Sequence, residues 1–315
     1  MNFSLELKNE PPQDWNKHLL SNTTGNIFNS VEYSEYARKW LKWNPIFCRV
    51  FDSSGNILLQ TLLFEYISNV KRVPHFLHGV VRKLKNSIRW NYGPITSSQE
   101  CSTFFLSHIK QNYKKVYGTT HPLSNLEYTY FNKTLWSTFL IDLTKSKEEL
   151  YGGMSKHNAR KNIERSIERN VIVEEITDKT LDEYSSLLDK HRSSMNLSSG
   201  NAQEFHDMWK FLHNAGFSGF LARKDGISIG GLLFSFFNNY INEWGVARSQ
   251  QDTEEKLYAQ DLIKWKIIEW GIDHKMKWYD LSGVNPIPKS KKEEGILEYK
   301  KKWGGIQKNY WIMSS

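Results

Sequence analysis

FCRVFDSSGNILLQTLLFEY (47–66) and FLARKDGISIGGLLFSFF (220–237) are the two stretches on which the fold turns. Each has two β-rich runs joined by a short turn with a glycine, the pattern of a hairpin. Ser53-Ser54-Gly55-Asn56 makes the turn in the first and Lys224-Asp225-Gly226 in the second. Past the turn, Leu62-Leu63-Phe64 answers Leu232-Leu233-Phe234. A helix precedes each hairpin, and in each half a strand follows a helix further on. Any two hairpins share alternating hydrophobics, yet the ordered repetition predicts two copies of one α/β unit.

Working outward, the first half reads as a helix over 34–42, the hairpin strands at 46–52 and 57–67, and an irregular stretch 72–94. That stretch holds Pro74, Gly79, Gly93 and Pro94 and the basic residues Arg82, Lys83 and Lys85. A helical period over 99–117 and a strand over 136–143 follow. The second half opens on helix signals at 146–169, with Ser155 as an N-cap to the basic run SKHNARKNIERSIERN (155–170). Helices are predicted over 179–192, 202–215 and 255–273, and strands over 217–237, 240–247 and 276–283. A basic loop and a strand near 307–313 finish the chain. The domains predicted are 1–144 and 145–315, with the last strand (307–315) packing back on the first. No Pro/Ser linker separates them, so tight packing is expected.

The 315 residues are 39% hydrophobic and 24% charged, an ordinary globular balance, and 14% aromatic with 12 Trp. Net charge is +8 and the sequence pI about 9.2. Such a surface attracts nucleic acid, anionic lipid or phosphorylated small molecules alike, and a lysine-rich solvated surface explains it equally well. Cys48 and Cys101 make no disulfide framework and no zinc pair. MNFSLELKNEPPQDW lacks the basic and apolar regions of a signal peptide, and no apolar run nears the ~20 residues of a membrane span. A cytoplasmic location is expected.

Several chemistries find no motif: GxSxG, HExxH, Walker A and GxGxxG after a strand are missing. His75 and His78 stand in HxxH spacing without a third ligand nearby, which favours ordinary histidines; no metal is expected. Between strand 240–247 and the helix after it lies Arg248-Ser-Gln-Gln-Asp-Thr253. A pyrophosphate cradle of the Q/R-x-x-G-x-G/A kind needs glycines there, so that backbone N–H groups can approach the anion. They are missing.

These features resemble the FemABX peptidyltransferases, which are built from two GNAT-like (acyl-CoA N-acyltransferase) domains with a degenerate CoA site. The likeness rests on Tyr279-Asp280-Leu-Ser-Gly283 and then Tyr299-Lys300-Lys-Lys-Trp303-Gly304. It rests also on Asn26-Ile-Phe-Asn-Ser30, Trp90-Asn-Tyr92-Gly93-Pro94 and the basic run Lys156 to Arg165. Related acyltransferases of polysaccharide or lipid pathways share the C-terminal pattern. The coiled-coil arm of some members is absent, and the family's lysine for a nucleotide diphosphate has only Arg38 as a counterpart.

The resemblance implies an α/β fold of two tandem GNAT-like domains, each a mixed sheet flanked by helices. It implies an aminoacyltransferase that takes its group from aminoacyl-tRNA, without a cofactor, to an amine of a peptidoglycan or other cell-envelope precursor. That acceptor is UDP-sugar-peptide or lipid-linked, the latter with a transient membrane contact, and the protein is expected to be a monomer. Catalytic roles fall to Lys300, Tyr299 and Asp280, with Lys300 meeting the oxyanion; Lys301 and Lys302 are expected to be merely solvated. Substrate contacts fall to Arg192, Arg38, Trp244 and Trp303. Asp280 equally suits turn capping, Trp244 a core, and Arg192 a surface ion pair. An acyl-CoA-dependent N-acyltransferase acting on an amino sugar or exopolysaccharide precursor and a non-enzymatic nucleic-acid-binding protein on a degenerate transferase fold remain the alternatives.

Overall fold

The structure, a computed structural model, describes residues 2–67, 74, 77, 80, 81, 86–197 and 201–315. His75, His78, Gly79, Arg82, Lys83 and Lys85 lie outside them. The chain divides into one unit of Met1–Ser137 with Lys308–Ser315, and another of Thr138–Gln307.

The first unit runs β1 (Ser4–Lys8), α1 (Trp15–Leu20), α2 (Val31–Tyr36), β2 (Asn44–Phe51), β3 (Ile57–Glu65), β4 (Ser87–Trp90), α3 (Gln99–Asn112) and β5 (Lys115–Thr119). β1 to β4 pair antiparallel in sequence order, β4 pairs parallel with β5, and the chain's last strand pairs antiparallel with β5. The hairpin β2–β3 is buried on both faces, which explains its nearly continuous apolar run. Cys48, Val50, Leu59 and Leu63 join Phe105, Leu106 and Ile109 of α3 in one cluster. On the other face Phe47 meets Trp15 edge-on at 4.8 Å.

The second unit begins within β6 (Asn132–Asp142) and continues with α4 (Lys147–Gly153), α5 (Lys161–Glu168), β7 (Ile172–Glu175), α6 (Leu181–Ser194), α7 (Ala202–Gly216), β8 (Phe217–Lys224), β9 (Ile227–Phe237) and β10 (Tyr240–Arg248). Then come α8 (Gln250–Glu254), α9 (Ala259–Asp273), β11 (Trp278–Asp280) and α10 (Lys291–Lys301), before β12 (Ile306–Ser314). β7 to β10 pair antiparallel, β10 pairs parallel with β11, and β6 pairs antiparallel with β11. This is the order of the first unit again. The same mixed strand plan in each unit bears out the α/β repeat that the paired hairpins predicted.

The differences from the sequence reading have physical causes. The period over 99–117 breaks at Asn112, and Lys115–Thr119 becomes β5, whose Val116 and Gly118 face inward. The helix predicted to start at 255 starts at Ala259, because Tyr258 takes a left-handed conformation (φ 58°) and α8 forms ahead of it. The expected basic loop contains α10, which buries no residue and so shows no apolar period. Ser290 caps it by accepting the Glu293 N–H at 3.3 Å.

Gly304, just past α10, has φ +73°, and a Cβ there would sit 2.5 Å from the Gly153 carbonyl oxygen. Both features demand glycine. Gly304→Ala should therefore lower stability by about 1–3 kcal/mol, read as a shifted urea midpoint with unchanged slope. Gly55→Ala, with positive φ but open space around it, should cost less.

Candidate functional site

β10 and β11 hydrogen-bond over only three residue pairs, Tyr240–Trp278 to Asn242–Asp280, and then part. β10 keeps pairing with β9 but shifts register between Glu243 and Val246, a bulge that re-aims its side chains. In the gap lies a cavity of about 390 Å³, lined by Glu243, Trp244 and Arg248 of β10, Ser282 after β11, Lys264 of α9, and Tyr299 and Lys300 of α10, among others. Its size and mixed polar lining suit a small-molecule group.

Lys300 Nζ donates to the carbonyl oxygens of Ser282 and Gly283 at 2.7 and 2.8 Å. An ammonium has three donors, so one remains for a group in the cavity. Burial brings the Lys300 pKa down to about 8, against the pull of the Glu243 and Asp280 carboxylates and with the push of Lys264. Glu243 is nearly enclosed: one oxygen accepts Lys264 Nζ and the Tyr279 hydroxyl, the latter at 2.6 Å. Its other oxygen makes no hydrogen bond among the described residues. Burial holds the Tyr279 and Tyr299 hydroxyls well above the usual phenol range, so both stay neutral donors.

Asp280 is fully buried and outside the cavity's lining. Its oxygens accept from the Thr138 hydroxyl, the Ser282 N–H at 2.8 Å, the Tyr240 hydroxyl at 2.6 Å and Asn242 Nδ2 at 3.0 Å. Burial pushes its pKa up while these donors hold it down. In this position Asp280 touches no cavity space. It ties β6, β10 and the turn after β11 together, and so fixes the carbonyls that hold Lys300.

Tyr299 lines the cavity with Lys300, and Lys302 lies 4.2 Å from its ring centre. Lys302 is not solvated as expected: its side chain is 9% exposed and pairs with Asp261, 7% exposed. Lys301 does stay in solvent, 3.8 Å from Glu298. Trp244 reaches the cavity, held by Nε1 donating to Ser235 Oγ at 3.1 Å and edge-on to Phe217. Trp303 does not: it is 1% exposed and packs within the unit's core. Arg192 lies in the last turn of α6, near Tyr184 and outside this lining. Arg38 belongs to the first unit, where it lies within 4.0 Å of Glu10 and 3.9 Å of Glu35 at the surface.

Sequence reading missed Glu243 and Lys264. An acidic residue inside a strand and a lysine on the buried face of an apolar helix were the signals available for them. At the degenerate turn, the fully buried Asp252 accepts the Ala259 N–H at 2.8 Å, so a carboxylate of the chain already sits at the start of α9. Among the described residues no cluster of His, Cys, Asp and Glu could hold a metal ion, and no helix is long and apolar enough to cross a membrane.

The repeated sheet plan and the parting of two parallel strands define the tandem GNAT fold. Solved structures agree. A crystal structure of FemX superposes with TM-score 0.72 and 13% identity over 97% of this chain and 96% of that one. L-PGS from Bacillus licheniformis gives 0.58 and 12% over 98% and 93%. A tandem GNAT protein from the clavulanic acid biosynthesis pathway gives 0.56 and 10% over 99% and 98%. At these identities the likeness establishes the fold. No family model and no curated protein sequence matches the chain.

Proposed function

We propose that this chain is a FemABX-like aminoacyltransferase that moves an aminoacyl group from aminoacyl-tRNA to an amine of a peptidoglycan or other cell-envelope precursor. The observation that carries the reading is the Lys300 ammonium, held by two carbonyls on the wall of a cavity whose phosphate cradle is filled by Asp252. The ester is already activated, so no cofactor is required. The acceptor nitrogen attacks the ester carbonyl and forms the C–N bond; negative charge gathers on the carbonyl oxygen and meets Lys300. The C–O bond to the ribose then breaks, giving an amide and uncharged tRNA. The proton leaving the amine passes to the second oxygen of Glu243 and on to the ribose oxygen. Tyr299 and Trp244 shape the cavity around the transferred group.

Asp252 also supports tRNA over CoA as donor, since its carboxylate already takes the Ala259 N–H that a pyrophosphate would need at the start of α9. The test offers the protein charged tRNA or acetyl-CoA with an amine acceptor and follows loss of the ester or thioester. Charged tRNA should be consumed and retained with a steep salt dependence. Acetyl-CoA should give no micromolar binding by calorimetry; micromolar binding without tRNA retention would overturn the reading in favour of an acyl-CoA enzyme.

A further inference from the structure

Beside the Lys300 cavity lies a second hollow, of about 600 Å³, lined by Lys190 and His191 of α6, by Arg248, and by Gln250 and Glu254 of α8, among others. Arg248 is the residue common to both linings. Its guanidinium is tethered at one corner: Nε donates to Asp252 Oδ2 at 2.5 Å, and the other oxygen of that carboxylate is fixed by the Ala259 N–H. Neither terminal nitrogen makes a hydrogen bond among the described residues, and the side chain is 38% exposed.

A guanidinium pinned through Nε presents its two terminal nitrogens as a planar fork, the shape that takes two oxygens of a phosphate at once. Because the buried carboxylate already orders the side chain, little further freedom is lost on binding. Positive charge continues into the second hollow with exposed Lys190, while His191 hydrogen-bonds the Arg248 backbone. The acidic residue there, Glu254, accepts from Gln250 Nε2 at 2.6 Å. With the α9 amide taken by Asp252, the fork offers a place for one phosphate rather than a cradle for two.

We infer that Arg248 grips a single phosphodiester at the junction of the two spaces, with the terminal nucleoside and its ester in the Lys300 cavity and the preceding nucleotide over Lys190. This rests on the reading that the donor is an RNA 3′ ester. The site reads the RNA backbone and not its bases.

The experiment measures binding of a short single-stranded RNA, of the terminal nucleoside alone and of inorganic phosphate to the full chain across a salt series. Arg248→Lys keeps the charge but loses the Nε tether and the fork; it should weaken RNA binding about tenfold or more, and by a clearly larger factor than it weakens nucleoside binding. Lys190→Ala, at an exposed position, should lower the slope of log affinity against log salt by about one. Inorganic phosphate should displace RNA only at far higher concentration. A wild-type melting temperature for Arg248→Lys separates lost binding from lost fold. If both variants bind RNA like the wild type while charged tRNA is still consumed, the phosphate site is wrong and the transferase reading stands. Equal potency of phosphate and RNA also overturns the site. Failure of the wild type both to bind RNA and to consume charged tRNA sinks the reading on which the site depends.

Discussion

Lys300→Ala should cost about 10²–10³ in turnover, the usual loss when one preorganised stabiliser of an oxyanion is removed. The effect should fall on kcat more than KM, because the charge that Lys300 meets appears only in the transition state. The working form is the ammonium, and its pKa is about 8. Turnover should therefore fall as pH rises through that value. A lysine acting as base would give the opposite limb, with turnover rising toward pH 8. Lys300→Arg keeps a cation at every accessible pH, so its residual activity should lack the falling limb. The same pKa has a stability consequence. The folded chain releases this proton at lower pH than the unfolded chain, so the Lys300 contribution to stability rises between about pH 8 and the ordinary lysine value. Turnover with charged tRNA across pH 6.5–9.5 checks the claim; a wild-type profile for Lys300→Ala would end it.

How much of this was legible follows from which residues carry periodic signals. The hairpins 47–66 and 220–237 announced themselves because buried strands with glycine turns have a local signature, and the topology repeats around them. β4, β5 and β11 are only four, five and three residues long, too short for alternation to register. α10 hid for another reason: none of its residues is fully buried, only Leu297 packs against the core, and its start is set by a cap. The motif Tyr299 to Gly304 runs along one wall of the cavity, yet its residues divide by direction in space. Tyr299 and Lys300 turn to the cavity, Lys301 to solvent, and Lys302 and Trp303 inward. A row of three lysines looks uniform in sequence and is not uniform on a helix end. Glu243 and Lys264 were invisible because each makes sense only beside the other, from separate elements.

That difference within the lysine row yields the second large effect. Lys302→Ala should destabilise the fold by about 3–5 kcal/mol, the range for removing one partner of a buried ion pair, whereas Lys301→Ala should stay within about 0.5 kcal/mol. Asp261 keeps only Asn162 Nδ2, at 3.0 Å, and more distant Lys264 once Lys302 is gone. Burial already raises its pKa, and losing Lys302 raises it further, so the carboxyl can escape by taking a proton. The sign of the pH dependence follows. Between the ordinary aspartate pKa and the raised one, the folded variant binds more protons than the unfolded chain, so its stability falls as pH rises through that window. The deficit against wild type should thus be small near pH 4 and full at neutral pH. Adding Asp261→Asn to Lys302→Ala removes the stranded charge, and should recover much of the loss and flatten the pH dependence. Urea midpoints for the two single variants and the double variant at pH 4.5 and 7.5 give the comparison. Equal midpoints for Lys301→Ala and Lys302→Ala at pH 7.5 would mean that the Asp261 pair contributes nothing, and that Lys302 is as solvated as its neighbour.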